Sequence, residues 1–467
     1  MTETIAKKLN DSAVVRWSAL VLIASMMFFG YMFVDVMSPL KSLLETSSLN
    51  WDSGTFGTYA ASEYFLNVFC FFLIFAGIIL DKTGIRFTGI LSASLMVAGA
   101  AIKYVGISDW FQTTELCAWL DSWWVELPGS AKIASLGFMI FGCGCEMAGI
   151  TVSKALAKWF EGKEMALAMG LEMAIARVGV FAIFSISPRL AEWGGTPSVV
   201  TPVAFCMALL CIGLLCFIVF TFMDAKLDHE KGAGKLASEG ASDEEFKLSD
   251  VGAIFSSRLF WIIAMLCVLY YSAIFPFQRY AANMLQCNLG ITETQASDIF
   301  RWFPIGAACL TPLLGWFLDH KGKGATMLIF GAILMIVCHL TFAFVVPATK
   351  SELITYSAIV VLGISFSLVP ASLWPSVPKV MDKRFLGSAY SLIFWVQNIG
   401  LAFVPIIIGQ VLTATNPGID DPMMYDYTTP MCVFASLGVL ALIFGIILKA
   451  MDARHHYGLE KPNITAD

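Results

Sequence analysis

Residues 141–179 read FGCGCEMAGITVSKALAKWFEGKEMALAMGLEMAIARVG, two apolar segments joined by a short charged turn at 161–164. Each segment is close to the ~20 apolar residues that cross the hydrocarbon core of a bilayer. The first segment contains an acid, Glu146, and the second contains a base, Arg177. Because a charge inside a membrane is costly and normally faces a cavity or a partner, these two residues are the first candidates for a functional site.

The composition of the whole chain indicates a membrane protein. Of its 467 residues 58% are hydrophobic and 14% are charged, and the mean hydropathy is +0.76. Soluble domains carry about 25% charged residues. No basic tail suggests nucleic-acid binding, and the 12 cysteines lie mostly in apolar segments without the His or carboxylate partners of a metal site. We therefore expect no metal, no cofactor and no nucleic-acid partner.

Apolar segments of about 20 or more residues are typical of membrane spans. Twelve are predicted, at 16–41, 55–80, 86–106, 131–159, 165–190, 199–224, 258–286, 293–318, 325–347, 353–379, 386–413 and 430–450. The segment between the sixth and seventh is rich in Gly, Ser and charge, which is typical of a solvated linker. We expect an all-α membrane protein with a six-helix bundle in 1–224, a cytoplasmic linker in 225–257, and a second six-helix bundle with a cytoplasmic tail in 258–467.

Lys and Arg concentrate on one side of the predicted spans, the side that holds both chain termini, whereas the loops on the other side are acidic. Cytoplasmic loops of membrane proteins carry an excess of Lys and Arg. The sequence therefore predicts that both termini are cytoplasmic.

One short motif occurs at the same place in each half, after the second and the eighth predicted span. It reads GIILDKTGIR at 77–86 and GWFLDHKGKG at 315–324. Glycine allows close helix approach, and an Asp at such a corner can pair with basic residues or cap the next helix. The corners are predicted to act as conformational latches through Gly77, Asp81, Gly84, Arg86, Gly315, Asp319 and Gly322.

The repeated corner resembles the cytoplasmic loop motif of the major facilitator superfamily, and the resemblance covers the whole chain. Other blocks are similar to the group of major facilitator superfamily domain-containing protein one, the lysosomal dipeptide uniporter. They are GKE at 162–164, GLEMAIARVG at 170–179, YY at 270–271 with FPF at 275–277, LWP at 373–375, and QNIGLA at 397–402.

This resemblance implies two pseudo-symmetric six-helix bundles that rock about a site at the membrane midplane. It also implies movement of dipeptides down their gradient. Glu146 would engage the ammonium group of the peptide, and Arg177 would engage its carboxylate.

The depth of the two charges agrees with a midplane site. At 1.5 Å per residue both lie ~17–20 Å from the cytoplasmic edge, near the middle of a core about 30 Å thick. A short zwitterion could bridge them, or they could form a structural salt bridge with each other.

Four residues of the second half reach similar depths: Tyr270, Tyr271, Gln397 and Asn398. They are candidates to bind a peptide amide or side chain, or to make contacts between helices. Glu172 is about 140° around the helix from Arg177 and is not expected to share its site.

Four further charges lie toward the outer third of the predicted spans: Asp35, Glu63, Arg279 and Arg301. They are predicted to form an outer gate of interhelical ion pairs. Alternatively, Asp35 or Glu63 could be a proton-coupling acid.

The sequence thus favours a secondary transporter that moves dipeptides by alternating access as a uniporter, with a small-molecule substrate and the lipid bilayer as its partners. The alternatives are a proton-coupled symporter or antiporter of another small zwitterion or organic anion, and a membrane receptor that does not transport. The chain contains neither a GxxxxGK[ST] loop nor an HExxH motif, so ATP-driven transport is disfavoured and we do not expect an enzyme. The N-terminal residues lack the acidic dileucine sorting signal of the resembled group, which favours a bacterial inner membrane over a lysosomal one.

Overall fold

The computed structural model describes residues 9–161, 163–231, 251–381 and 386–462. Within these residues the regular structure is helical, without strands, and ten helices are long and apolar enough to cross a membrane. Most of the predicted linker lies outside the described residues. Its described ends are helical, because α10 continues to Lys231 and α11 begins at Val251.

Among the described residues of the first half there are ten helices, with short 3-10 turns at Leu9–Asp11 and Ser38–Leu40. The helices are α1 Ala13–Asp35, α2 Lys41–Thr46, α3 Ser53–Ser62, α4 Phe65–Phe69, α5 Phe72–Ile107, α6 Asp109–Gln112, α7 Glu115–Asp121, α8 Gly129–Trp159, α9 Met165–Glu192 and α10 Val200–Lys231.

The second half contains nine helices among its described residues, with a π-helical turn at Thr341–Val345. The helices are α11 Val251–Phe255, α12 Arg258–Leu289, α13 Glu293–Phe300, α14 Trp302–Lys321, α15 Gly324–Leu340, α16 Val346–Thr349, α17 Glu352–Val380, α18 Leu386–Thr415 and α19 Thr428–His455.

The expectation of twelve continuous spans is not confirmed, because the second and eighth predicted spans are broken. The segment 55–80 is divided into α3, α4 and the start of α5, and Phe71 between them has a positive φ of 53°. The segment 293–318 is divided at Arg301. Pro304 explains this second break, since its ring removes one helical hydrogen bond and clashes with the carbonyl one turn earlier.

Each half packs mainly within itself. In the first half α5 packs along α8, and α1 packs against α9 and α10; in the second, α12 packs against α18, and α15 against α17 and α19. The α5–α8 contact depends on glycine. A Cβ at Gly99 would lie 2.4 Å from the backbone nitrogen of Phe141, and one at Gly137 would lie 2.4 Å from that of Lys103. Small residues at such positions let membrane helices approach closely.

The two halves are joined on the side opposite the chain termini, which we call the far side; the other is the terminal side. There α3 packs on α18, and α9 packs on α13 and α14. Hydrogen bonds between the halves cluster in the same region. The Ser42 hydroxyl donates to the Gln286 side chain at 2.5 Å, and the Ser297 hydroxyl donates to the Phe184 carbonyl at 2.7 Å. The halves are therefore closed against each other on the far side.

Candidate functional site

Arg177 lies on α9 with its guanidinium over three aromatic rings. The distances from the guanidinium carbon to the ring centroids are 5.5 Å for Phe366, 5.6 Å for Phe275 and 5.8 Å for Tyr31. Cations over aromatic faces are attracted by the ring quadrupole. Among the described residues Arg177 takes part in no ion pair within 4.0 Å. The N–H groups at the edge of the guanidinium therefore remain available for an anion.

Glu146 lies on α8 and is partly exposed. The side-chain amide of Asn398, from α18 in the other half, is a polar neighbour of its carboxylate. Among the described residues, no ion pair within 4.0 Å joins Glu146 to Arg177. The Tyr31 phenol interacts electrostatically with both charges. The two charges thus flank one region of the interior without neutralising each other in this conformation.

The helix boundaries support the depth that residue counting indicates. Glu146 precedes the end of α8 at Trp159 by about 13 residues, and Arg177 follows the start of α9 at Met165 by about 12. At 1.5 Å per residue both charges lie ~18–20 Å from the terminal ends of their helices. The turn between α8 and α9 makes these ends neighbours, so the two charges occupy one level.

The adjacent tyrosines of α12 have different environments. Tyr271 is partly exposed, accepts a hydrogen bond from the Trp374 indole at 3.3 Å, and interacts electrostatically with Arg177. Tyr270 is fully buried, and its hydroxyl donates to the backbone carbonyl of Leu328 on α15. Tyr271 therefore faces the region of the charges, whereas Tyr270 anchors α12 to α15.

Gln397 and Asn398 are both buried on α18. The Gln397 side-chain oxygen accepts from the Cys267 thiol at 3.2 Å, which is a contact between helices of the second half. Of the two, Asn398 contacts a charge of the candidate site.

Three of the four predicted outer charges form one buried cluster, which we call the far-side triad: Asp35, Glu63 and Arg279. The Arg279 guanidinium donates to Asp35 Oδ1 at 3.1 Å and to Glu63 Oε2 at 2.6 Å, and the three residues are 1%, 6% and 7% exposed. Gln278 donates to the other oxygen of Asp35 at 2.6 Å. The triad joins α1 and the α3–α4 break of the first half to α12 of the second.

Arg301 lies apart from the triad. It donates to Asp298 at 2.9 Å and to the Ser185 hydroxyl at 3.3 Å. Asp298 also pairs with Arg189 at 2.6 Å, which makes a second, more exposed ion pair between the halves.

A buried lysine close to the triad is absent from the predicted site residues. The Lys103 ammonium is unexposed and, among the described residues, has no hydrogen-bond partner. It lies 4.2 Å from the ring centroid of Phe33, 4.7 Å from Phe138 and 5.1 Å from Tyr59. The sequence feature that could have identified Lys103 is a single Lys within the apolar segment 86–106.

The repeated corners differ from their expected packing in one respect. A Cβ at Gly77 or Gly315 would meet nothing within 4 Å, so close helix approach is not their role in this conformation. Gly84 and Gly322 have positive φ angles of 77° and 71°, which favour glycine.

The charges of the first corner make ion pairs within the first half. Asp81 pairs with Lys154 on α8 at 2.5 Å. Arg86 pairs with Asp228 on α10 at 3.2 Å. In the second half Asp319 interacts electrostatically with Lys379 on α17.

Glu172, on a different face of α9, interacts electrostatically with Arg177 and Tyr31. The rings around Arg177 were not predicted to contact it, since single aromatic residues in an apolar helix carry no signal of their neighbours.

The family of the chain follows from comparison with known proteins. A model of the Major Facilitator Superfamily matches residues 20–405, with an overlapping second match to 280–463. The chain belongs to the major facilitator superfamily. The predicted family and fold class are thereby confirmed, and the twelve-helix count is not.

Relatives within the superfamily share about a quarter of their residues with this chain. It is 27% identical to the lysosomal dipeptide transporter MFSD1 of Danio rerio over 85% of this chain and 80% of that protein. The human MFSD1 is 27% identical over 74% and 69%. The crystal structure of the nucleoside transporter NupG superposes with a TM-score of 0.67 at 13% identity, covering 92% of this chain and 99% of that one. This last similarity shows the fold alone. The family match makes the chain a multi-pass membrane transporter.

Proposed function

We propose that this transporter moves dipeptides across the membrane by alternating access, as a uniporter. The observation that carries the proposal is the pair of opposite charges at one depth, Glu146 and Arg177, which do not pair with each other. The similarity to dipeptide transporters over most of the chain supports the same substrate class.

A dipeptide has complementary charges at its two ends. Its carboxylate would accept two parallel hydrogen bonds from the edge of the Arg177 guanidinium, a geometry that arginine favours. Its ammonium group would donate to the Glu146 carboxylate. Because isolated buried charges are costly, a bound zwitterion that neutralises both would stabilise an occluded site.

Closure of the halves on the far side indicates from which side a substrate would enter in this conformation. The far-side triad and the Arg189–Asp298 pair join the halves there, so a substrate would reach the site from the terminal side. Transport would then require these contacts to break while the terminal side closes.

Proton-coupled symport or antiport is the second candidate, and the triad favours it. Arg279 is shared by two buried acids, Asp35 and Glu63. A proton on either acid would weaken its bond to Arg279 and ease the opening of the far side.

The test is uptake of dialanine into proteoliposomes that contain the full chain. Glu146→Gln and Arg177→Lys should each lower kcat/KM by about tenfold to hundredfold, the worth of one hydrogen bond to a charged group. Glu126→Gln, in an exposed loop, is the matched control. Unchanged transport in both site variants would refute the site assignment, and accumulation of dialanine above its equilibrium level only with an imposed pH gradient would refute uniport.

A further inference from the structure

A row of aromatic side chains from the second half begins beside Arg177. We call it the aromatic row: Phe366, Phe275, Tyr271, Trp374 and Phe394. Ring centroids are 5.6 Å apart for Phe275 and Phe366, 5.6 Å for Tyr271 and Phe275, 6.4 Å for Tyr271 and Trp374, and 4.7 Å for Trp374 and Phe394. The contacts form a continuous surface contributed by α12, α17 and α18.

The row runs from the level of the charges toward the terminal side. Phe366 is about 14 residues from the end of α17 at Val380, and Trp374 is about 6. At 1.5 Å per residue these positions lie ~21 Å and ~9 Å from that end. The row therefore lies along the direction from which a substrate would approach Arg177.

The row is not a sealed core. Tyr271, Phe275 and Trp374 are partly exposed, and Phe394 is 37% exposed. Exposed aromatic surface next to a polar anchor is typical of ligand sites, which are mostly apolar with a few polar groups that orient the ligand.

The two charges have different surroundings. The guanidinium of Arg177 lies over the rings of Phe275 and Phe366. Glu146 instead has polar neighbours, which are the amide of Asn398, the Cys145 thiol and the Tyr64 phenol. The carboxylate end of a bound peptide would thus lie among rings, and its ammonium end among polar groups.

We infer that the aromatic row selects dipeptides whose carboxyl-terminal residue has an aromatic or large apolar side chain. This inference rests on the proposed dipeptide transport. A carboxylate bound at the edge of the Arg177 guanidinium places the α-carbon beside it within reach of the rings over which the guanidinium lies. Arg177 belongs to the first half and the row to the second, so such a side chain also bridges the two halves.

The experiment compares Ala-Phe, Phe-Ala and Ala-Ala in proteoliposomes containing the full chain. The half-saturation concentration of Ala-Phe should be about three- to tenfold lower than that of Phe-Ala, since one additional aromatic contact has about that effect. Phe275→Leu and Phe394→Leu should each reduce this ratio toward one. Phe330→Leu, which alters a 47% exposed ring on α15 outside the row, should leave the ratio unchanged.

The outcomes separate the two proposals. Transport of all three peptides with equal half-saturation concentrations would overturn the selectivity and leave dipeptide transport standing. A ratio that persists in both row variants would also overturn it. Transport of none of the three peptides would overturn the proposed function and the selectivity with it.

Discussion

Replacing Arg279 with Met tests whether the far-side triad holds the two halves together. Arg279 donates at 3.1 Å to Asp35 and at 2.6 Å to Glu63, and its removal leaves both buried carboxylates without this cation. Loss of one partner from a buried ion pair costs about 3–5 kcal/mol, mostly because a buried charge is left uncompensated. At about 1.4 kcal/mol per tenfold, a loss of this size would shift the equilibrium against far-side closure by more than a hundredfold.

The assay is the apparent melting temperature of the purified protein in detergent, with Arg189→Met as the matched control. Arg189 also joins the halves, through Asp298, but its side chain is 51% exposed. Exposed ion pairs contribute at most about 1 kcal/mol. We expect a much larger decrease in melting temperature for Arg279→Met than for Arg189→Met.

A compensating variant separates charge from packing. The triple variant Asp35→Asn, Glu63→Gln, Arg279→Met removes all three charges and should recover most of the lost melting temperature, because no uncompensated carboxylate remains. Equal, small decreases for Arg279→Met and Arg189→Met would refute the reasoning. So would a triple variant less stable than Arg279→Met alone.

Two further predictions concern the terminal side. Asp452 on α19 accepts hydrogen bonds from the backbone N–H groups of 458–460 at 2.9, 3.1 and 3.3 Å, so Asp452→Ala should release this segment. Limited digestion with endoproteinase Glu-C should then cleave after Glu460 faster, and an unchanged cleavage rate would contradict the prediction. Gly84 has φ 77° and ψ 174°, a region essentially restricted to glycine, so Gly84→Ala should destabilise the protein by about 1–3 kcal/mol. Gly77→Ala, where a Cβ meets nothing within 4 Å, should leave the melting temperature nearly unchanged, and equal effects of the two alanines would contradict the role of the Gly84 backbone.

The charged residues of the interior could be identified from sequence because a charge in an apolar segment is rare and costly. Glu146 and Arg177 were found in this way, and so were Asp35, Glu63 and Arg279, which the structure brings together in the triad. Their depth followed from residue counting, since the helical rise is constant.

The aromatic neighbours of Arg177 could not be identified in the same way. The chain has 37 Phe residues, and nothing in their spacing marks Phe275 or Phe366 as partners of Arg177. Tyr270 and Tyr271 show the same limit. Adjacent helical residues point about 100° apart, and only the packing of α12 against α15 shows which of the two faces the charges.

The helix breaks were missed for a related reason. Apolar residues continue through the break at Phe71, so hydropathy alone predicts one uninterrupted span. The break at Arg301 had a local signal in Pro304, but proline is tolerated in many membrane helices, as Pro276 within α12 shows.

The position of the break between α3 and α4 connects the triad to the candidate site. Glu63 ends α3 and bonds to Arg279, while Val68 on α4 accepts a hydrogen bond from the Trp395 indole at 3.0 Å. Trp395 is three residues from Asn398, the partner of Glu146. Contacts between the halves thus run from the far side down to the level of the site and pass through the broken helix. If the halves separate on the far side during transport, Glu63 and Asn398 must both exchange partners. A zwitterion that binds Glu146 would then compete directly with a contact between the halves at the level of the site.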